Sequence, residues 1–473
     1  MREDDEASPG DDSVSAATGD TGATAVRAKL TEGPVGRVLA GLAGPMVIGM
    51  FSVIAFNLTD TYFIARLGTR ELAAISFTFP VVSVMFGIAM GLGTGTISVV
   101  SRAIGRGEED RVRRFSTDSL LLSLLTVLVV AAIGVLTIDP LFRALGAGDD
   151  VLPLIRQYMI IWYPGMVFLV MPMVANAAIR ASGDTKLPAL IMTVGTITNM
   201  ILDPLLIFGL WGFPRWELKG AAVATVLARV LILVSSLAIL HFHKRMLDFR
   251  PPNLRAVLDS WRQVASLAIA ASVTNIMPSF AIAFVTRLIA EHGVGAVAAW
   301  GAGSRVGHFV LIPVYGLGSG LVPFIGQNWG AERYDRVRTA RRYAYRFAFL
   351  WGGAMVAILH LGADSIAVFF SDDAAVVARI VEYLRIVPLG FGMMGVFFMT
   401  EETLNAIGRP VMATATTAFH MFVLYAPLAY LGSHLWQMTG LFSGVAAADI
   451  LAGFVGLATV HRLCHRRERG SAG

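Results

Sequence analysis

The sequence predicts an all-α polytopic membrane protein with twelve transmembrane helices in two parallel six-helix repeats. Three observations predict this fold class: the composition, the length of the apolar runs and an internal repeat. Of the 473 residues, 55% are hydrophobic and only 15% are charged, and the mean hydropathy is +0.66. About twelve apolar runs reach roughly twenty residues, long enough for a helix to cross a hydrocarbon core of ~30 Å. This composition argues against a water-soluble enzyme.

The chain is expected to begin with a disordered, acidic cytoplasmic tail over residues 1–34. Asp, Glu, Gly, Ser and Thr dominate this segment, and it has no apolar run with which to bury surface. It also lacks the basic start and short apolar core of a cleaved signal peptide. The first spanning helix is therefore expected to serve as the insertion signal.

The predicted N-terminal bundle occupies residues 35–245. Each of its spans is an apolar run bounded by polar or charged connections, and several are longer than a bilayer needs, which implies tilt. The six spans are 37–65, 72–100, 116–138, 157–179, 187–210 and 220–240.

A cytoplasmic linker over residues 246–262, which contains Pro251 and Pro252, is expected to join the two halves. The predicted C-terminal bundle follows over residues 263–463, and a basic cytoplasmic tail over 464–473. Cys464 in this tail is the only cysteine, so an internal disulfide is excluded. The six spans of the second bundle are 264–289, 296–324, 344–363, 380–400, 411–431 and 437–461.

Lysine and arginine concentrate in alternate connections between the spans. Because basic side chains are retained on the cytoplasmic side, this asymmetry predicts a multi-pass protein of the cell membrane with both termini in the cytoplasm. The same distribution explains the net charge of +5 without nucleic-acid binding. The richest connections are residues 102–114, 244–262 and 333–346.

An internal repeat appears when the chain is shifted by 225 residues. Each unit has six spans, so the halves enter the membrane from the same side, as in transporters whose substrate path lies between two bundles. Matched residues include Gly68 and Gly293, Gly91 and Gly316, Gly95 and Gly320, Gly105 and Gly330, Asp110 and Asp335, Tyr158 and Tyr383, and Gly183 and Gly408.

Two aspartates inside spans are the strongest candidates for function. Asp60 and Asp203 lie in the first and fifth spans without a basic neighbour in sequence, and intramembrane acids usually mark ion paths. Asn199 is one turn from Asp203, and Asn176 is an amide within the fourth span. These oxygens suit a proton or a hard monovalent cation. The alternative is a structural role as hydrogen-bonded neutral acids.

Other polar residues in the spans are weaker candidates. Glu401, at the end of the tenth span, takes the place of Asn176 under the 225-residue shift and is a secondary candidate. Arg229 and Arg305 are best interpreted as paired or snorkelling side chains. His420 is interpreted as a packed residue or one with satisfied hydrogen bonds.

The sequence resembles the multidrug and toxic compound extrusion (MATE) family from residue 35 to about residue 460. The motifs that carry this resemblance are Pro45, Asn57 to Gly68, Ser101 to Gly105, Arg180 to Thr185, Asn199 to Gly209, Gly220 to Thr225 and Gly326 to Ala331. The similarity is greatest to the branch with a cation site in the N-terminal bundle. It implies site residues Asp60, Asn176, Asn199 and Asp203, with Thr225 as a fifth member and Na⁺ as a possible ligand.

The resemblance further implies that the first helix bends at Pro45. Another branch of the family couples ions through a Glu in the seventh span and an Asp in the tenth. This sequence departs from that pattern, because residues 264–286 contain no acid and the region around Met394 is apolar.

The predicted function is secondary antiport: export of amphipathic, cationic organic compounds in exchange for H⁺ or Na⁺, by rocking of the two bundles. Two acids with few neutral ligands favour a shared proton over a full sodium cage. No cofactor is expected, and the partners are membrane lipid and small organic cations, with the protein a monomer. The alternatives are a flippase of lipid-linked oligosaccharides, which needs a more basic cavity, and a passive channel, for which no filter sequence is present.

Overall fold

A computed structural model describes residues 28–249 and 253–470, and nearly all of them lie in helices. The fold is the all-helical membrane architecture that the sequence predicts. By length and composition, the described residues contain 11 helices that could cross a membrane, and the last of these, Pro410–Arg462, is long enough for two passes. Its backbone departs from helical geometry at Trp436 and Gln437. Twelve transmembrane passes result.

The N-terminal bundle contains eight helices, two of which together form the fourth span. Its fourth span is divided at Met166, two residues after Pro164. Its sixth span ends in a π-helical turn over Ile239–His243. The helices are α1 (Val35–Ala65), α2 (Thr69–Gly105), α3 (Glu109–Leu136), the short α4 (Ile138–Ala144), α5 (Leu152–Gly165), α6 (Val167–Ala181), α7 (Lys186–Phe208) and α8 (Glu217–Ala238).

The C-terminal bundle repeats this plan. Its tenth span is interrupted by a 3₁₀ segment, Val387–Gly390, at a position that matches the break in the fourth span, since Gly165 and Gly390 are 225 residues apart. Its eleventh span contains a π-helical segment, Phe419–Tyr425. The helices are α9 (Leu254–Ala290), α10 (Val294–Gly330), α11 (Tyr334–Phe370), α12 (Ala374–Ile386), α13 (Phe391–Ala406), α14 (Pro410–Ala418) and α15 (Ala426–Gly470).

The two bundles meet through small residues of α2 and α10. Gly326 lies directly against Ser101, and Gly105 packs against the backbone of Gln327. Glycine permits this approach because a side chain at either position would overlap the partner helix. We call this end of the molecule the basic end, and it comprises the connections at residues 106–108, 182–185, 244–249, 331–333 and 407–409.

Aromatic rings also meet across the bundle boundary away from the basic end. Phe51 of α1 and Phe309 of α10 touch edge to face across the boundary, with ring centroids 5.2 Å apart. Even so, these two side chains are 38% and 56% exposed.

The segment before α1 is partly ordered, which corrects the expected disorder over residues 1–34. Lys29–Thr31 form a 3₁₀ turn in which Leu30 is buried. The Leu30 N–H donates to Gln327 Oε1 at 3.1 Å, and its carbonyl accepts from Asn328 Nδ2 at 3.0 Å. One apolar side chain and two amide partners thus hold the segment at the basic end. Residues 1–27 lie outside the described range.

The two other predicted segment boundaries also shift. Helix α9 begins at Leu254, so most of the described part of the linker expected over 246–262 is helical, and residues 250–252 lie outside the described range. Helix α15 continues to Gly470, into the segment expected to be a basic tail. Both changes extend a helix beyond its apolar run, which hydropathy alone does not predict.

Candidate ion-coupling site

Asp60 of α1 lies level with Asp203 of α7. Closer to the basic end, Ser52 Oγ is 2.9 Å from Thr193 Oγ1, and Thr196 Oγ1 donates to the Ser52 carbonyl at 3.1 Å. Farther from the basic end than the two acids, the rings of Phe63 and Phe208 lie 6.1 Å apart. In each of these contacts, the residue of α7 has a number 141 to 145 higher than its partner on the parallel helix α1. The offset places Asp60 beside the turn of α7 that carries Asp203.

Asn199 and Asp203 form one polar unit on α7. The Asn199 Nδ2 donates to Asp203 Oδ1 at 3.1 Å, across a single helical turn. Both side chains are fully buried. Pro204 follows directly and removes one backbone donor, because proline has no N–H.

Thr225 of α8 faces the same turn of α7. The two helices are antiparallel, since Gly195 packs against Ile232 near one end and Gly220 packs against Leu206 near the other. This register places Thr225 opposite the turn between Asn199 and Asp203. Thr225 is only 3% exposed.

The shared feature of these residues is a buried oxygen without a hydrogen-bond partner. Leaving a buried polar atom without a hydrogen bond costs about 1–3 kcal/mol. Four such oxygens close together therefore indicate a site that binds a ligand. The four atoms, among the residues that the structure describes, are Asp60 Oδ1, Asn199 Oδ1, Asp203 Oδ2 and Thr225 Oγ1. The donor set is entirely oxygen, which fits a proton or Na⁺.

Two further residues complete the site, and the sequence analysis did not assign them to it. Arg229 of α8 lies one turn beyond Thr225, with its guanidinium carbon 6.0 Å from the ring centre of Phe56. Arg229 and Tyr158 are both close enough to Asp60 to interact with it electrostatically, and Asp203 also interacts with Asp60. Arg229 therefore supplies a positive charge beside Asp60, the acid of α1.

The structure places Asn176 away from this cluster. Its Oδ1 accepts a hydrogen bond from Ser236 Oγ at 3.2 Å. Ser236 follows Thr225 by eleven residues on α8, which is about 16 Å along a helix at 1.5 Å per residue. The amide of Asn176 is thus satisfied on the basic-end side of the cluster.

The remaining sequence candidates lie outside the cluster as well. Pro45 is incorporated in α1, which continues without interruption from Val35 to Ala65. Glu401 belongs to α13 in the other bundle, where it accepts a hydrogen bond from Thr417 Oγ1. Its neighbour Glu402 interacts electrostatically with Arg180 across the bundle boundary.

Comparison with known proteins agrees with this architecture. The MatE family model matches residues 45–205 and matches again at residues 267–431, so it recognises each six-helix repeat separately. The FAD transporter of Shewanella oneidensis is 37% identical over 435 residues, which are 92% of this chain and 96% of that protein. A probable multidrug resistance protein of Bacillus subtilis is 25% identical over 389 residues, 81% of this chain and 84% of that protein.

A solved structure shows the same fold along nearly the whole chain. The MATE transporter VcmN of Vibrio cholerae, in its bent form, superposes with a TM-score of 0.86 at 29% identity. The match covers 91% of this chain and 97% of that one. The protein is therefore a transporter of the MATE family.

Proposed function

We propose that this transporter is a secondary antiporter that exports amphipathic organic compounds in exchange for H⁺ or Na⁺ bound in its N-terminal bundle. The observation that carries the proposal is the set of four unpaired, buried oxygens on Asp60, Asn199, Asp203 and Thr225. Intramembrane acids of this kind usually mark ion paths. Such a site corresponds to the family branch with a cation site in the first bundle.

The charges of the site favour one monovalent ion per cycle. Asp60 and Asp203 together carry two negative charges when both are ionised, and Arg229 supplies one positive charge close to Asp60. One proton or one Na⁺ therefore brings the group to neutrality, which a buried site of low dielectric strongly favours. Between these ions, two carboxylates with few neutral ligands favour the proton.

The coupling step that we propose uses the first helix. Pro45 has no backbone N–H to donate within the continuous helix α1, so this helix is predisposed to bend there. Bending would move Asp60 relative to Asp203, because the two acids are on different helices. An ion that binds both acids then stabilises one shape of α1 over the other, which is the differential affinity that coupling requires.

We further propose that the basic end faces the cytoplasm, which places both termini inside the cell. The basic residues of the connections support this orientation. The structure is then closed toward the cytoplasm, and we propose that the exposed rings of Phe51 and Phe309 border a cleft between the bundles that opens outward.

Amphipathic cations are the substrates that the sequence favours, and the Bacillus subtilis relative is named for multidrug resistance. The aromatic rings of Phe51 and Phe309 at the cleft suit flat, apolar compounds, and can attract a cationic group. A cationic substrate and the coupling ion would then compete for the negative charge of the acids in the first bundle.

Export of an anionic flavin dinucleotide is a second candidate, favoured by one further observation. Arg305 lies one turn from Phe309 on α10, on the face that borders the cleft. It is exposed and has no hydrogen bond or ion pair within the described part of the chain. The relative from Shewanella oneidensis is named as an FAD transporter, and FAD carries two phosphates that a free guanidinium would attract.

Substitution of the acids in reconstituted vesicles tests the antiport proposal. We expect Asp60→Asn and Asp203→Asn each to abolish gradient-driven efflux of a cationic dye while equilibrium binding of the dye remains measurable. Asp364→Asn is the matched control, because Asp364 is an exposed partner of Arg385 outside the site. Full efflux in either site variant, at equal protein content, would overturn the proposal.

Arginine substitution separates the two substrate classes. If FAD is exported, Arg305→Gln should reduce FAD efflux and spare dye efflux, whereas the exposed Arg287 of α9 supplies the control Arg287→Gln. FAD efflux that is absent from wild-type vesicles, or that is unaffected by Arg305→Gln, would remove the second candidate.

A further inference from the structure

A buried histidine–aspartate pair lies in the middle of the C-terminal bundle. His420 belongs to the π-helical segment of the eleventh span, ten residues after Pro410, and Asp449 lies in the twelfth pass, twelve residues after Gln437. At 1.5 Å per residue, these positions are about 15 and 18 Å from the ends of their helices. Both residues are thus near the centre of the membrane.

The geometry of this pair is that of a direct hydrogen bond. His420 Nε2 and Asp449 Oδ1 are 3.1 Å apart, and the residues are 2% and 4% exposed. Of the described residues, His420 alone offers a cationic side chain within 4.0 Å of Asp449. The other ring nitrogen, His420 Nδ1, is buried and has no hydrogen-bond partner.

Aromatic rings and phenol groups surround the pair, with one acid at greater distance. The rings of Phe397 and Tyr425 lie 4.9 and 6.0 Å from the His420 ring. The phenol groups of Tyr315 on α10, Tyr383 on α12 and Tyr425 in the π-helical segment interact electrostatically with Asp449, and Glu401 on α13 interacts with Tyr315.

The backbone around the pair is irregular on two sides. His420 lies within a π-helical segment, a rare geometry that occurs frequently at functional sites. On the other side, the 3₁₀ break of the tenth span ends at Gly390, where an added Cβ would lie 2.9 Å from Asp449 Cβ. Glycine therefore allows the broken helix to approach the carboxylate.

The pair is also the pseudo-symmetric counterpart of the first site. A shift of 225 residues takes Asp449 to Ala224, next to Thr225, and takes His420 to Gly195, one turn from Asn199. The pair thus lies between the eleventh and twelfth spans as the first site lies between the fifth and sixth. The chemistry differs, because imidazole replaces the amide and the second carboxylate.

We propose that His420 and Asp449 form a second coupling site, which binds one proton in the C-terminal bundle. With neutral imidazole, the ionised Asp449 is a buried charge without a compensating cation. A proton on the imidazole converts the group into an ion pair with no net charge, which the low-dielectric interior favours.

This inference goes beyond the proposed antiport through the first bundle, and each can fail without the other. The test uses full-length protein with His420→Gln or Asp449→Asn, and His308→Gln as the control, since His308 is exposed in the eighth span. The first readout is dye exchange in vesicles at equal pH on both sides, from about pH 5 to about pH 8, where imidazole titrates. We expect the wild type and His308→Gln to share one component of the pH dependence that both pair variants lose, in addition to the component that the Asp60–Asp203 site contributes.

The second readout is the pH-induced infrared difference spectrum of the purified protein, which does not depend on transport. We expect an imidazole protonation band that disappears in His420→Gln and shifts in Asp449→Asn. Spectra and pH profiles identical to the wild type would overturn the proposal, even if Asp203→Asn abolishes transport. If both pair variants fail to fold, the infrared spectrum of wild-type protein with isotopically labelled histidine still tests the proposal. A buried imidazole that never becomes protonated in this pH range would contradict the site.

Discussion

Two glycines at pseudo-symmetric positions hold the bundles together at the basic end, and enlarging either should open this end. Gly95 of α2 faces α9, where an added Cβ would lie 2.8 Å from the Val264 carbonyl oxygen and 3.1 Å from the Ala268 nitrogen. Gly320 of α10 faces α1, where the added atom would lie 2.9 Å from Leu42 Cβ. Both contacts cross the boundary between the bundles.

The expected magnitude follows from these distances. Ordinary Cβ contacts begin at 3.4 Å, so alanine at Gly95 or Gly320 forces the backbones apart by about 0.5 Å in a closely packed interface. Overpacking of this kind costs about 1–3 kcal/mol. Because the contact exists only when the basic end is closed, the ratio of open to closed molecules should rise by about 5- to 150-fold. The better helix propensity of alanine acts in both states and cancels.

Distances between spin labels at the basic end measure this shift. Labels at Arg111→Cys and Asp335→Cys, in a Cys464→Ser background, report the separation of the two bundles from exposed positions on α3 and α11. We expect Gly95→Ala and Gly320→Ala to increase the population with the longer distance. Gly353→Ala is the control, because an added Cβ at this helical glycine meets nothing within 4 Å. Unchanged distance distributions in both variants, or an equal shift in the control, would refute the packing argument.

The remaining predictions concern topology and stability. Single cysteines in the Cys464→Ser background should react with an impermeant maleimide in two opposite sets, and a mixed pattern would contradict both the orientation and the repeat. At Asp184, burial alone would raise the pKa, but the Lys244 ammonium at 2.7 Å and the N–H groups of Leu187 and Lys186 hold the pKa below its ordinary value. A depressed pKa stabilises the fold above about pH 4 and loses this contribution as pH falls further, so Asp184→Asn should cost about 1.5–3 kcal/mol at neutral pH and little in acid; an equal loss in thermal melts at both pH values would contradict this. The labelling positions are Arg106, Arg250 and Arg338 inside, and Gly146, Trp216 and Asp372 outside.

The sequence predicted the spans and the principal acids for clear physical reasons. Apolar runs of bilayer length leave few alternatives to spanning helices. Asp60 and Asp203 stand out because a carboxylate in such a run is costly. The 225-residue repeat then fixed the parallel arrangement of the two halves, and the family model matches each half separately.

Residues whose role depends on a neighbouring helix were not predicted. Arg229 was interpreted as a paired or snorkelling side chain, but the sequence did not identify Asp60 as the acid that the fold brings beside it. Asn176 was grouped with the acids because it is an intramembrane amide, but Ser236 satisfies it elsewhere. Leu30 gave no periodic signal, since a single apolar side chain between polar residues is enough to anchor its segment.

The histidine–aspartate pair was missed although a signal existed. His420 was interpreted as packed or satisfied; the structure gives its Nε2 a partner in Asp449 but leaves its Nδ1 without one. Asp449 lies in an alanine-rich run of the last span, and the repeat places it opposite Ala224, so comparison of the halves does not mark it. The rule that identified Asp60 and Asp203, an acid far inside a span, applies equally to Asp449 and would have found it.

The most direct test of the account is ion-dependent export by wild-type vesicles under separately imposed gradients. With a higher proton concentration outside the vesicles and no sodium, we expect dye efflux. Asp60→Asn and Asp203→Asn should each abolish this efflux. With a sodium gradient at clamped pH, we expect no efflux above that of empty vesicles. Efflux under sodium alone would contradict proton coupling and make the same oxygens sodium ligands. Efflux that neither gradient drives in the wild type, or that survives in both variants, would contradict the central claim that the Asp60–Asp203 site couples transport to an ion.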